Sequence, residues 1–379
     1  MNVLTNLPLD SFDPRDAFEE RIVSFGSPER LSVDLPFDSG RQTIDELFAA
    51  LPVGFAPDVV LLWWPDQLPL PRNLETCPVP VIGILSDYNL TLPWVLGLWP
   101  FFDTLLVDRP GLELFRAAGF ADVRPFCQFS FQWQRDQLRR PFSTRTTDIA
   151  FAGNIHPVVH GSRSTWLDRL RALRQRQPNP LQITIGSGIH GAEYSALLNA
   201  AKMGFNRSVR GEMNLRAFEV PANGSLLLME RENVEVREFF EPDHEVVLYG
   251  EDDFEDIVQH YASHDGDRIR IAKAGHDRVQ NYRMSRRLPE LLGTACSPTP
   301  RGRARTGSRF DLALGRAHSM IPATTPNENA FADARTAIEQ RPDDPRPWNV
   351  LAVAAATTDA TGAKEQAAAW LERALSLRP

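Results

Sequence analysis

The feature that most constrains this chain is a set of short, uninterrupted apolar runs. PDVVLLWWP (57–65), CPVPVIGILSD (77–87), FDTLLVD (102–108) and ADVRPFCQF (121–129) lie in one stretch, with the helix pattern GLELFRAAG (111–119) between the last two. A strand with one wet face alternates apolar and polar residues. A run that is apolar throughout is buried on both faces, which in α/β proteins means a parallel sheet covered by helices. Residues 1–140 therefore read as a Rossmann-like domain of strands alternating with helices.

The same grammar repeats downstream. TDIAFAGN (147–154), LQITIG (181–186), MGFN (203–206), SLLLME (225–230) and EVVLYG (245–250) read as strands. Between them lie STWLDRLRALRQR (164–176), with Leu167, Leu170 and Leu173 at helical spacing, EYSALLNAAK (193–202), and a helix ending at Asn223–Gly224. EDDFEDI opens the helices that end near Leu292. Residues 147–292 are thus expected to form a second Rossmann-like domain. QRDQLRRPFSTRTT (134–147) reads as the linker between the two. Residues 293–325, rich in Pro, Gly, Ser and Arg, read as a second linker. Its Arg301, Arg303, Arg305, Arg309 and Arg316 suit a solvated tether better than a phosphate surface.

In the tail (326–379), ARTAIEQRP (334–342) aligns with LERALSLRP (371–379) at a period of 37, around PRPWNVLAVAAA (345–356). Bulky Trp348, then Leu351 and Ala352, resemble a tetratricopeptide repeat. One and a half repeats leave a hydrophobic face uncovered. The tail is expected to dock on something or to pair with a copy of itself, with Trp348 and Trp370 buried.

Composition excludes several function classes. The 42% apolar content supplies ample cores, and a formal net charge of −8 gives no signature for nucleic acid. Cys77, Cys127 and Cys296 match no zinc spacing and suit a reducing compartment. The N-terminus has neither a basic nor an apolar segment, so no signal peptide is expected and a cytoplasmic location is. Pro93, Pro100 and Asp103 interrupt the apolar segment Leu90–Val107, so it reads as a helix running into a strand rather than a membrane span.

Two segments bear on chemistry. Gly186-x-Gly188-x-x-Gly191 has the form of a dinucleotide fingerprint. The next strand is followed by Arg207-Ser208-Val209-Arg210, with no carboxylate for a ribose, and TDIAFAGN already holds the first-strand position. Turn glycines are the better account, and an NADP or S-adenosylmethionine enzyme is a minor alternative. In GEMNLRAFEVPANGSLLLME (211–230), Glu212, Arg216, Glu219 and Asn223 fall at spacings of 4, 3 and 4, on one helix face. Pro221 should kink the last turn, and Gly224 suits the left-handed position that ends a helix.

The run R-x-FE-x-P-A-x-G-x-LLL, then FFEPDHEVVLYGEDDFEDI and HDRVQNYRMSRRLPELL, resembles the CgeB-like (spore-maturation-protein) glycosyltransferases of the two-Rossmann GT-B fold. The resemblance spans roughly 55–292. It implies two Rossmann-like domains facing a cleft, the first presenting an acceptor and the second holding a nucleotide-diphosphate sugar. It implies that Glu219, expected as an exposed cleft carboxylate, grips the ribose hydroxyls. Amides around Asn214 and Leu215 and the Gly153–Asn154 turn would face phosphate oxygens, with Arg163 and Arg216 on the pyrophosphate. Many GT-B enzymes carry a second glutamate eight positions earlier; here that position is Gly211, and Glu212 stands one off.

All eight histidines lie at 156 or later, so the first domain offers no histidine base. Asp87, ending a buried strand, is the candidate catalytic carboxylate or else a turn residue. His156 and His160 face the cleft or are exposed loop histidines. EDDFEDI suits a helix N-terminus, and no metal or cofactor is expected. The acceptor, whether glycan, protein or lipid-linked, is not named by the sequence. A protein partner or self-association is expected through the helical tail. A catalytically inactive GT-B scaffold acting through that tail is the main alternative.

Overall fold

The computed structural model of the chain describes all residues except 8–18, 28–31, 157–160, 176–179, 297–306, 322–327, 358–361 and 378–379. His160, Arg301, Arg303 and Arg305 lie outside the described residues. The chain divides into two units, Met1–Phe126 with Leu292–Pro379, and Cys127–Leu291.

In the first unit, β1 (Asn2–Thr5), β2 (Arg21–Gly26), β3 (Leu35–Pro36), β4 (Val59–Trp63), β5 (Val81–Ile84), β6 (Thr104–Val107) and β7 (Val123–Pro125) form one sheet ordered β3-β2-β1-β4-β5-β6-β7. Every pairing is parallel. Strands β4, β5 and β6 are buried at every position, as their apolar runs require. Helices α1 (Ile44–Ala49), α2 (Tyr88–Val95) and α3 (Leu112–Ala117) accompany the sheet. Helix α1 starts at a reciprocal Thr43–Glu46 capping box. Leu90–Val107 runs from α2 through a turn at Leu96–Phe101 into β6, a helix leading into a strand. Among the described residues no helix is long and apolar enough to cross a membrane.

In the second unit, β8 (Thr147–Ala152), β9 (Ile183–Gly186), β10 (Ala201–Phe205), β11 (Leu226–Glu230) and β12 (Val247–Tyr249) form a parallel sheet ordered β12-β11-β10-β8-β9. Helices α4 (Gly161–Leu173), α5 (Gly191–Ala200), α6 (Leu215–Ala222), α7 (Val236–Phe239), α8 (Phe254–Ser263), α9 (Asp265–Val279) and α10 (Met284–Ala295) follow in sequence. Phe218 of α6 packs edge-on against Phe239 and Tyr282 on one side of the sheet. Phe151, Phe205, Tyr249, Phe254 and Trp166 fill the other. Both units are Rossmann-like α/β layers.

The stretch 134–147 is not a free linker. Arg145 is buried and donates to the carbonyls of Leu198, Ala201 and Asn223 at 3.1, 2.7 and 2.7 Å. Asn199 Oδ1 accepts the Arg139 amide at 2.8 Å. Polar residues that look solvated in sequence here meet strand-end and helix-end carbonyls that need donors.

The tail comprises α11 (Arg309–Ser319), α12 (Glu328–Gln340), α13 (Pro345–Ala356) and α14 (Ala363–Ser376). Helix α11 lies inside the stretch read as a linker. A Ser308–Asp311 capping box starts it, and Phe310, Ala313, Leu314 and Ala317 bury one face that the flanking Gly and Arg residues mask in composition. It docks on the first unit's own turn at Leu96–Phe101. Arg316 bridges Glu75 at 2.5 Å and Asp333 at 3.0 Å, and the His318 ring meets Trp94 edge-on at 5.5 Å. Burial pushes the His318 imidazole down to about 3, so it stays neutral. Trp348 and Trp370 are half-buried against this cluster rather than buried, and Trp348 Nε1 reaches the Pro342 carbonyl.

Candidate functional site

Strand order decides where a ligand can sit. The chain lays β9 on one side of β8, then crosses to place β10 on the other. Between two such diverging connections the strand C-termini open a crevice, the position where open α/β sheets bind ligands. In the second unit this point lies between Ala152, ending β8, and Phe205, ending β10. Gly186–Gly191 follows the edge strand β9 instead. Gly188 and Gly191 adopt φ of 71° and 59°, the left-handed region of tight-turn glycines, away from the switch point.

Four of the sequence-predicted residues gather at the switch point. Arg216, in the first turn of α6, donates to the Ala152 carbonyl through Nη2 at 2.8 Å and to Asn206 Oδ1 through Nη1 at 2.9 Å. Arg163, in the first turn of α4, donates to the carbonyls of Asn154 at 2.7 Å and Arg207 at 2.9 Å. Each guanidinium thus ties the end of β8 to the end of β10, and both stack on the Phe151 ring. Burial, then the neighbouring Arg216, lowers the Arg163 guanidinium to about 10. Its Nε is buried without a hydrogen-bond partner. A β-carbon at Gly153 would lie 2.2 Å from Arg216 Nη2, so any larger residue there displaces the guanidinium from its seat. Asn154 is exposed and accepts the His156 amide at 2.8 Å in a tight turn, and His156 itself is exposed.

Asn214 caps α6, its side chain accepting the Ala217 amide at 3.3 Å. Leu215, the first helical residue, is 43% exposed. The helix therefore begins after Glu212, which does not share the face of Arg216, Glu219 and Asn223. Glu212 instead accepts the amides of Val209 and Arg210 at 3.2 and 2.6 Å and braces the incoming loop.

Glu219 is not an exposed cleft carboxylate. It is 5% exposed, and Arg135 Nη2 donates to its Oε1 at 2.6 Å. Burial, reinforced by Asp136, pushes its carboxyl up to about 7 against the opposing influence of Arg135, Arg216 and the Tyr194 hydroxyl. Arg135 and Tyr194 were missed by sequence reasoning, the first because it fell in an apparent linker, the second because one tyrosine in an amphipathic helix carries no signal.

Asp87 belongs to the first unit, exposed before α2. Beside it stands Asp66, which sequence reasoning missed; it is 1% exposed and accepts the amides of Ser86 and Asp87 at 3.3 and 2.9 Å. Burial pushes the Asp66 carboxyl up to about 6 against those bonds. In EDDFEDI, Asp253 pairs with Arg231 and Glu255 with Arg169. Among the described residues no cluster of three His, Cys, Asp or Glu side chains is placed to hold a metal ion.

No curated protein matches the chain. Among solved structures, the OtsA apo structure aligns at 10% identity over 79% of this chain and 99% of its own, with a TM-score of 0.48. HepE of Anabaena, in complex with UDP-glucose, aligns at 12% identity over 77% and 99%, with a TM-score of 0.47. The GtfA/B complex aligns at 15% identity over 62% of this chain, with a TM-score of 0.44, and the chain spans 56% of that structure's length. Residues 137–293, which contain the switch point and both arginines, match the family model described as Glycosyl transferase-like.

Proposed function

We propose that the chain is a glycosyltransferase that moves a sugar from a nucleotide-diphosphate donor to an acceptor hydroxyl, with the donor held by the second unit. The observation that carries this reading is the convergence of Arg163 and Arg216 on the ends of β8 and β10. The family match over the same residues supports it. In such a transfer the bond from the anomeric carbon to the diphosphate oxygen breaks, and its electron pair stays on the diphosphate. Guanidiniums already fixed by strand-end carbonyls meet that growing charge without reorganising. The Gly153–Asn154 turn and the start of α6, at Asn214 and Leu215, offer backbone dipoles to the same oxygens. Glu219 takes the ribose hydroxyls. Asp87 and His156 are the candidates to receive the acceptor's proton. The reaction needs no cofactor beyond the donor itself.

A thermal-shift screen with UDP, GDP and NADP tests this. A ligand at 100 times its dissociation constant stabilises by about 2.7 kcal/mol. A nucleoside diphosphate is expected to raise the melting temperature of the wild type. Gly153→Ala, which pushes the Arg216 guanidinium off Ala152, should keep the fold and lose most of that rise. A shift with NADP and none with UDP or GDP would overturn the reading.

A further inference from the structure

The segment before β8 does more than join the units. Arg135 forms a fork with Asp136, Nε to Oδ1 at 2.9 Å and Nη2 to Oδ2 at 2.7 Å, and the same Nη2 reaches Glu219 at 2.6 Å. Asp136 has a fully buried side chain and also accepts the Gln132 amide at 3.1 Å and Asn223 Nδ2 at 3.2 Å. The Arg135 carbonyl accepts Ser195 Oγ at 2.9 Å, so the backbone is anchored to α5 independently of the ion pair. Asn223, one helical turn beyond Glu219, closes the network through Ser195 and Asn199 at 2.6 and 2.7 Å.

We propose that Arg135 and Asp136 are a positioning pair for Glu219, setting the direction and charge of its carboxylate and thereby how tightly the donor's ribose is held. The inference rests on the donor-site reading above. The charged and titratable groups around Glu219 are Arg135 and Asp136 from this segment, Tyr194 from α5 and Arg216 from its own helix. Arg135 favours the carboxylate, Asp136 favours the carboxylic acid, and the Asp136 and Glu219 carboxyls share the Arg135 guanidinium. A carboxylate accepts two hydroxyls; its protonated form is a poorer acceptor. Near neutrality, where Glu219 titrates, a change in either member of the pair therefore changes ribose binding.

Two variants push the system in opposite directions. Arg135→Gln removes the cation, so Glu219 should ionise at higher pH; Asp136→Asn removes the competing anion, so it should ionise at lower pH. The measurement is the preference for UDP or GDP over the matching 2′,3′-dideoxynucleotide, from calorimetry between pH 5.5 and 8.5. The dideoxy partner carries the same diphosphate, so phosphate titration cancels. In the wild type the preference should rise with pH through about 7. Its midpoint should move up in Arg135→Gln, with a roughly 10-fold loss of preference at pH 7, and down in Asp136→Asn. Glu219→Gln should show a small preference that does not vary with pH. Because Arg135→Gln leaves two buried carboxylates and could fold poorly, Asp136→Asn carries the test alone if needed. A wild-type preference whose midpoint moves in neither folded variant, or in Asp136→Asn alone if Arg135→Gln does not fold, overturns this inference while leaving the donor site. A wild type that binds the nucleotide with no preference for ribose hydroxyls overturns both.

Discussion

Glu219→Gln is expected to weaken nucleoside diphosphate binding at pH 8 by roughly 10- to 150-fold, the loss of ~1.5–3 kcal/mol in charge-assisted bonds to the ribose. Stability should change as well, because the carboxylate is buried. Its carboxyl titrates at about 7 in the folded protein against a usual 4.5. With the folded value above the unfolded one, the native state holds the extra proton between them. That contribution is complete below pH 4.5 and is lost as pH rises through 7, a total of roughly 3 kcal/mol. The amide lacks it. Urea unfolding should therefore show the wild type losing ground to Glu219→Gln between pH 5 and 8. A stability difference that stays constant over that range would contradict the raised titration of Glu219, and UDP and GDP affinities unchanged in Glu219→Gln would remove it from the proposed donor site.

Gly315→Val should detach the tail from the first unit. A β-carbon at Gly315 would lie 2.5 Å from Phe101 Cε2 and 2.7 Å from the Gly97 carbonyl oxygen. The second neighbour is backbone and cannot swing aside, so α11 must move. Overpacking of this kind costs about 1–3 kcal/mol or more. The expected readout is a lower melting temperature and faster proteolysis of the tail, with nucleotide affinity, which the proposed donor site assigns to residues of the second unit, unchanged. Ala369→Val, at an exposed position on α14, should leave both unaltered. A Gly315→Val protein as stable and protease-resistant as the wild type would mean that the seat of α11 on the Leu96–Phe101 turn contributes little.

Much of the architecture was legible because it is local. Short, mainly apolar runs bounded by turn residues read as strands buried on both faces, and β4, β5, β6, β8 and β11 followed from them. Gly224 closes α6 with a φ of 76°, as a helix stop before a strand demands. The turn at Gly153 and the two arginines were visible as residues at strand and helix ends. Strand β3, of two residues, is too short for any period to register. Helix α11 was hidden by composition. Asn214 and Leu215, read as the start of α6, do stand there, whereas Glu212, read on the same helix face, precedes the helix.

The environment of Glu219 was decided only in three dimensions. Its partner Arg135 lies 84 residues away, in a stretch whose charges suggested solvent. Sequence fixes the charge a side chain can carry, and helical spacing fixes the face it lies on. Whether that face meets water or a second chain segment depends on non-local packing, and the cost of burying a charge depends in turn on which ions the fold brings beside it. That is why the position of Glu219 could be read from the chain, while its burial, its pairing and its near-neutral titration could not.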